Sequence, residues 1–136
     1  VLVDAPCSGT GTWRRAPESR WRLGARELAG HVATQARILD SAARLVAPGG
    51  RLVYAVCSLL AAEGEGQMHG FLRRRTDFEL VPASRVWRRV LDTGYPCGDA
   101  YLRLLPGRDG TDGFFVAVLQ RVRNNKESHA NMTARR

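Results

Sequence analysis

Two short stretches of this 136-residue chain end in a thiol. Val1-Leu2-Val3 runs into Asp4-Ala5-Pro6-Cys7-Ser8, and Arg51-Leu52-Val53-Tyr54-Ala55-Val56 runs into Cys57-Ser58. An ionised thiol is a strong nucleophile, so a cysteine held at the end of an ordered element suits covalent attack on an electron-poor carbon. Taken singly, each cysteine is as readily a small buried hydrophobe. Taken together, they make a geometric case. In an open α/β sheet, ligands bind beyond the carboxyl ends of parallel strands. Two neighbouring parallel strands joined by a helical crossover would bring both thiols to one crevice.

The pattern around the cysteines supplies those elements. Val1-Leu2-Val3 reads as the end of a buried parallel strand. Residues 5 to 24 hold glycines, prolines and four arginines without a period, which predicts a long loop. Leu28, Val32, Gln35 or Ala36, Leu39, Ala43 and Val46 recur at spacings of three and four, which predicts an amphipathic helix over residues 26–46. Pro48-Gly49-Gly50 ends it. Residues 51–57 form the clearest strand, apolar on both faces. A weak, glycine-containing helix follows over 65–75, anchored by Phe71 and Leu72, then a short strand over 78–81. Residues 83–100 read as irregular and basic. Strands over 101–105 and 114–120 flank Pro106-Gly107-Arg108-Asp109-Gly110-Thr111-Asp112-Gly113 and look like an antiparallel pair, with Phe114 and Phe115 in the core. The order is that of the back half of a doubly wound α/β sheet. Residues 122–136 read as a flexible tail.

Composition narrows the partner class. Hydrophobic residues make up 44% of the chain, which argues for a folded body rather than disorder. The formal net charge is +8, and twenty of the 21 basic residues are arginine. Arginine presents a planar fork of donors suited to phosphate and to stacking on bases, so nucleic acid leads as partner class. A coding bias toward arginine and alanine would raise the same count. No apolar run approaches the roughly 20 residues that cross a bilayer, so no membrane is expected. Three widely spaced cysteines, Cys7, Cys57 and Cys97, show no metal-ligand spacing. Free thiols in a reducing, cytoplasmic setting fit best. Arg14, Arg15, Arg20 and Arg22 interleave with Trp13 and Trp21, a pattern suited to RNA backbone contact and base stacking, or else a solvated basic loop. Arg73-Arg74-Arg75 reads as an exposed helix end whose charge suits the helix dipole. His31 reads as structural, and Cys97 as having no role.

Asp4 to Gly11, Arg51 to Ser58 and Asp112 to Leu119, in this order, resemble the catalytic half of the Sun/Fmu (RsmB-like) family of RNA cytosine-5 methyltransferases. Trp13-Arg14-Arg15 with Pro17, Gln35 with Ile38-Leu39, and Pro48-Gly49-Gly50 agree. The resemblance covers residues 1–121, read as the C-terminal part of a Rossmann-like catalytic domain. It implies that Cys57 attacks carbon 6 of a cytosine and that Cys7 assists product release. The reverse assignment is the alternative, since DNA cytosine methyltransferases attack with the cysteine of their Pro-Cys motif. It also implies S-adenosylmethionine as methyl donor, with Asp4 and Pro6 beside donor and base, and RNA as partner, ribosomal RNA ahead of tRNA. Asp4 would hold the base edge or carry a proton, unless it is simply a turn-forming Asp.

The sequence departs from the family in places. Val56 stands where Thr is usual, Glu63 is kept from a loop that has lost its proline and asparagine, and Asp109 stands where a His is common. The glycine-rich turn that opens the family's donor-binding fold has no counterpart here. The chain starts without Met inside what should be a central strand. The expectation is therefore a fragment lacking the N-terminal donor-binding half, its partner in cis or in trans, and inactive by itself. The alternative is a catalytically dead RNA-binding or assembly module.

Overall fold

The computed structural model describes residues 1–98 and 100–123. The tail expected over residues 122–136 therefore lies, from residue 124 onward, outside the described residues. Five strands make one mixed sheet: β1 (Leu2–Asp4), β2 (Arg51–Val56), β3 (Phe78–Val81), β4 (Leu102–Leu104) and β5 (Phe114–Arg121). Four helices lie between them: α1 (Ala25–Ala43), α2 (Glu65–Arg74), α3 (Ala83–Val90) and the single turn α4 (Pro106–Asp109). The sheet order is β1-β2-β5-β3, with β4 also on β5.

β1 pairs in parallel with β2, Val3 opposite Tyr54 and Asp4 opposite Ala55. Parallel neighbours need a long crossover, and α1 with its flanking loops provides it. β5 runs antiparallel to β2 along one edge, from Arg51 opposite Gln120 to Val56 opposite Phe115. Its other edge is shared end to end by β3, over residues 118–121, and β4, over residues 114–116. The expected antiparallel pair of late strands is thus β4 with β5, and β5 is the centre of the sheet rather than its margin.

Alternation explains the layering. Leu52, Tyr54 and Val56 of β2 sit opposite Leu119, Ala117 and Phe115 of β5, and all six are buried on the face covered by α1 and α2. α1 contributes Leu39, Ala42 and Ala43, and α2 contributes Met68 and Phe71. Tyr54 meets Phe115 edge to face at 6.5 Å, and Phe71 meets Phe78 at 5.3 Å. α3 packs on the other face of β5. The sequence reading of residues 83–100 as irregular is corrected here: residues 83–90 are helical. Pro82 starts this helix, and its arginines hid the pattern, because Arg85, Arg88 and Arg89 are exposed while Ala83 is buried. The loop over 5–24 is also more ordered than expected, with 3-10 turns at Thr10–Thr12 and Pro17–Arg22. α1 ends at Ala43, three residues short of the expected end, and β2 ends at Val56, which leaves Cys57 just beyond the strand.

Candidate active site

Cys57 directly follows β2, Cys7 comes three residues after β1, and their Sγ atoms are 3.4 Å apart. Backbone bonds lock the two segments in register. Ala5 N–H donates to Ala55 O, and Gly11 N–H donates to Cys57 O at 3.0 Å. Between them the chain must reverse, and Gly9 takes φ +68°, a left-handed conformation that glycine adopts without a Cβ clash. Gly11 then passes so close to Gly113 that a Cβ on it would stand 2.1 Å from the Gly113 carbonyl oxygen. Gly113 N–H donates to Gly11 O in turn. Three loops, after β1, after β2 and before β5, are thereby fastened to one another.

Beneath the sulfurs lies a buried polar cluster centred on Glu63. Its Oε1 accepts from Ser8 N–H at 2.8 Å and from Gln35 Nε2 at 3.0 Å. Its Oε2 accepts from the hydroxyls of Ser8 and Ser58, each at 2.5 Å. Ser8 follows Cys7 and Ser58 follows Cys57, so one carboxylate grips the residue after each cysteine. Gln35 also donates to Pro6 O at 2.9 Å and accepts from Gln67 Nε2 at 3.0 Å. The Tyr54 hydroxyl donates to Glu63 O at 2.8 Å. Thr10 Oγ1 accepts from Leu59 N–H and lies 3.2 Å from Ser58 Oγ.

These surroundings set the charges. Burial pushes the Glu63 carboxyl up, but the donors from Ser58, Ser8 and Gln35 outweigh it and hold the group below its ordinary value. For Cys7 burial dominates and raises the thiol well above its ordinary value, with Cys57 and Glu63 pushing the same way against a backbone bond at Gly9. Cys7 is thus held with its proton on.

The other residues singled out in the sequence lie around this cluster. Asp4 ends β1 and is exposed, with no bonded partner among the described residues, and Pro6 is exposed beside it. Arg14 and Arg15 do not reach out freely: both bind Asp112, Arg14 Nε at 2.7 Å, and Arg14 also donates to Gly110 O. Arg20 stacks over Trp21, its guanidinium 4.8 Å from the ring, and that tryptophan is 81% exposed. Arg22 borders an open pocket of about 270 Å³ with Ser8, Ser19, Leu23, Glu27 and His31. Cys97 bonds both ways with the Arg103 backbone and so belongs to a turn. Among the described residues no cluster of His, Cys, Asp or Glu is placed to hold a metal ion, and no helix is long and apolar enough to cross a membrane.

Two features escaped the sequence reading. Glu63 stood out only as the remnant of a motif, and Asp112 only as the start of one, with no sign of its pairing with Arg14 and Arg15. The signal for Glu63 was the serine after each cysteine: two hydroxyls brought to one crevice need a common acceptor.

Comparison with known proteins accords with this geometry. The chain is 42% identical over 122 residues to ribosomal RNA small subunit methyltransferase B of Thermus thermophilus, a match covering 90% of this chain and 29% of that protein. It superposes on the crystal structure of PH0851 with a TM-score of 0.77 at 41% identity, covering 89% of this chain and 26% of the other. It superposes on NSun6 from Pyrococcus horikoshii, solved with SFG, with a TM-score of 0.69 at 25% identity, covering 90% and 30%. The chain therefore spans under a third of the length of these relatives. The sequence model of the 16S rRNA methyltransferases RsmB/F matches residues 1–120, nearly all of the described chain, and the chain belongs to that family.

Proposed function

We propose that this chain is the catalytic region of a ribosomal RNA cytosine-5 methyltransferase, with Cys57 as nucleophile and Cys7 as the group that assists release. The observation that carries the reading is the 3.4 Å contact between two thiols at the ends of adjacent parallel strands in a chain of this family. Carbon 5 of cytosine is a poor nucleophile. Addition of the Cys57 thiolate to carbon 6 forms a sulfur–carbon bond and leaves an electron-rich enamine, which attacks from carbon 5. S-adenosylmethionine, when bound, supplies the methyl group. Transfer of the carbon 5 proton to solvent water then returns the electron pair and breaks the sulfur–carbon bond, which restores the aromatic ring and the Cys57 thiolate. A neighbour that still holds its proton can donate a hydrogen bond to the departing sulfur and so stabilise its charge, and Cys7, 3.4 Å away, is such a neighbour.

The donor would lie at the carboxyl end of β1. The free, exposed Asp4 carboxylate there suits a hydroxyl or ammonium group, and SFG in the NSun6 structure is an analogue of S-adenosylmethionine. Arg20, Arg22 and exposed Trp21 provide charge and a stacking surface for RNA beside the pocket at Ser8. Because the chain spans 29% of the Thermus relative, donor binding by the chain alone is expected to be weak. Calorimetry with S-adenosylmethionine checks this.

The test is covalent trapping on RNA containing 5-fluorocytosine, whose fluorine blocks loss from carbon 5. A chimera in which residues 1–120 replace the matching part of the Thermus relative provides the protein. Adduct formed by the parent and by Cys7→Ala, but lost in Cys57→Ala, is the expected result. Adduct lost only in Cys7→Ala reverses the roles. RNA binding without any adduct would assign the chain to RNA binding alone.

A further inference from the structure

Glu63 is an anion buried without a counter-cation. Its side chain is fully buried, its four donors are neutral, and every ion pair among the described residues lies elsewhere. Hydrogen bonds alone hold this charge in place. Its position suggests what the charge does. The carboxylate is bonded to the residue after each cysteine, so the distance between the sulfurs depends on it. The titratable groups that feel this charge are Cys7, which lies against Cys57, and Tyr54, whose hydroxyl bonds the Glu63 backbone. Beside a fixed negative charge in a water-poor site, a second anion is disfavoured.

We propose that Glu63 is the positioning residue of the cysteine pair: it holds both sulfur-bearing loops through Ser8 and Ser58, and its buried charge disfavours a second anion beside it. The inference deepens the proposed methyl transfer by naming what holds the two thiols together and what fixed charge stands beside them. It predicts more than a structural brace. Glutamine at this position would remove the charge and turn an amide toward Ser8 donors, while aspartate would keep the charge and lose reach.

Thiol labelling tests both parts without RNA or methyl donor, so its outcome is separate from that of the trapping assay. The chain is alkylated with iodoacetamide across a range of pH, and the Cys7 peptide is followed by mass spectrometry. In Glu63→Gln, the midpoint of the Cys7 rate profile is expected to fall by about one pH unit, a tenfold gain in thiolate at a given pH. In Glu63→Asp it stays near the wild-type value. A loosened loop would also lower the midpoint by exposing Cys7, so Ser8→Ala with Ser58→Ala, which loosens the loops and keeps the charge, is the control: the charge accounts for the fall in Glu63→Gln beyond the fall in that variant. A midpoint in Glu63→Gln that falls no further than in that variant therefore overturns the charge assignment. The tether is read in a variant that keeps the charge. Ser8→Ala with Ser58→Ala is expected to slow diamide-driven closure of a Cys7–Cys57 disulfide by about tenfold or more, because sulfur proximity sets that rate. Closure at the wild-type rate overturns the positioning role, whether or not Glu63→Gln folds.

Discussion

A buried carboxylate fed only by hydroxyls and amides makes the fold sensitive to acid in a particular window. The folded value of Glu63 lies below its ordinary 4.5, so the folded state favours the ionised form. The stability this contributes is complete above 4.5 and is lost as pH falls from there through the lower folded value. Glu63→Gln is expected to cost about 1–3 kcal/mol near neutral pH, because buried donors lose a good acceptor. That deficit should shrink as the medium is acidified below 4.5, where the wild-type carboxyl becomes neutral as well. Asp77 sits at about 2 because Arg75 donates to it and because Arg75 and Arg121 carry positive charge beside it, but it is common to both proteins and cancels from the comparison. Urea unfolding of wild type and Glu63→Gln at several pH values measures the difference. A deficit that stayed constant into acid would mean that Glu63 is already neutral in the folded chain.

At the scale of elements, the site depends on the meeting of loops more than on the strands themselves. Gly11 and Gly113 face each other backbone to backbone, and no side chain fits between them. Gly11→Ala is expected to lower stability by about 1–3 kcal/mol and to spread the cysteine loops. Gly30, in the middle of α1, faces open space: a methyl group there would meet nothing within 4 Å. Gly30→Ala should therefore raise stability by about 0.5–1 kcal/mol through helix propensity alone. Thermal unfolding of the two variants, which differ from wild type by one methyl each, compares packing with propensity directly. The contrast also marks what could be read from the sequence. α1, β2 and the crossover between β1 and β2 were legible because Leu28, Leu39 and the Leu52–Val56 run carry strong periodic signals. The convergence of Cys7 and Cys57 followed from that topology. α3 was not legible, since only Ala83 is fully buried and exposed arginines fill the rest of its pattern. The Gly11–Gly113 contact and the Arg14–Asp112 pair join residues about a hundred positions apart, and no local pattern encodes such a meeting.

Over the whole molecule, a net charge of +8 does not make every arginine equivalent. Asp112 takes both Arg14 and Arg15, and those bonds hold the turn after Cys7 against the loop before β5. Their fork is partly spent inside the protein. Arg20 and Arg22 have no ion-pair partner among the described residues and lie on the 3-10 turn that borders the pocket at Ser8. Counterion release then separates the two pairs. Each phosphate contact on single-stranded RNA adds about 0.7 to the slope of log affinity against log salt. Replacing Arg20 and Arg22 with glutamine is expected to reduce that slope by about 1.4, whereas replacing Arg14 and Arg15 should reduce it less and lower stability instead. Fluorescence anisotropy with a single-stranded RNA, read at several salt concentrations, gives both slopes. If the Arg20 and Arg22 variant kept the wild-type slope, the exposed turn would not be the RNA track, and the exposed arginines of α3, Arg85, Arg88 and Arg89, would be the next to replace.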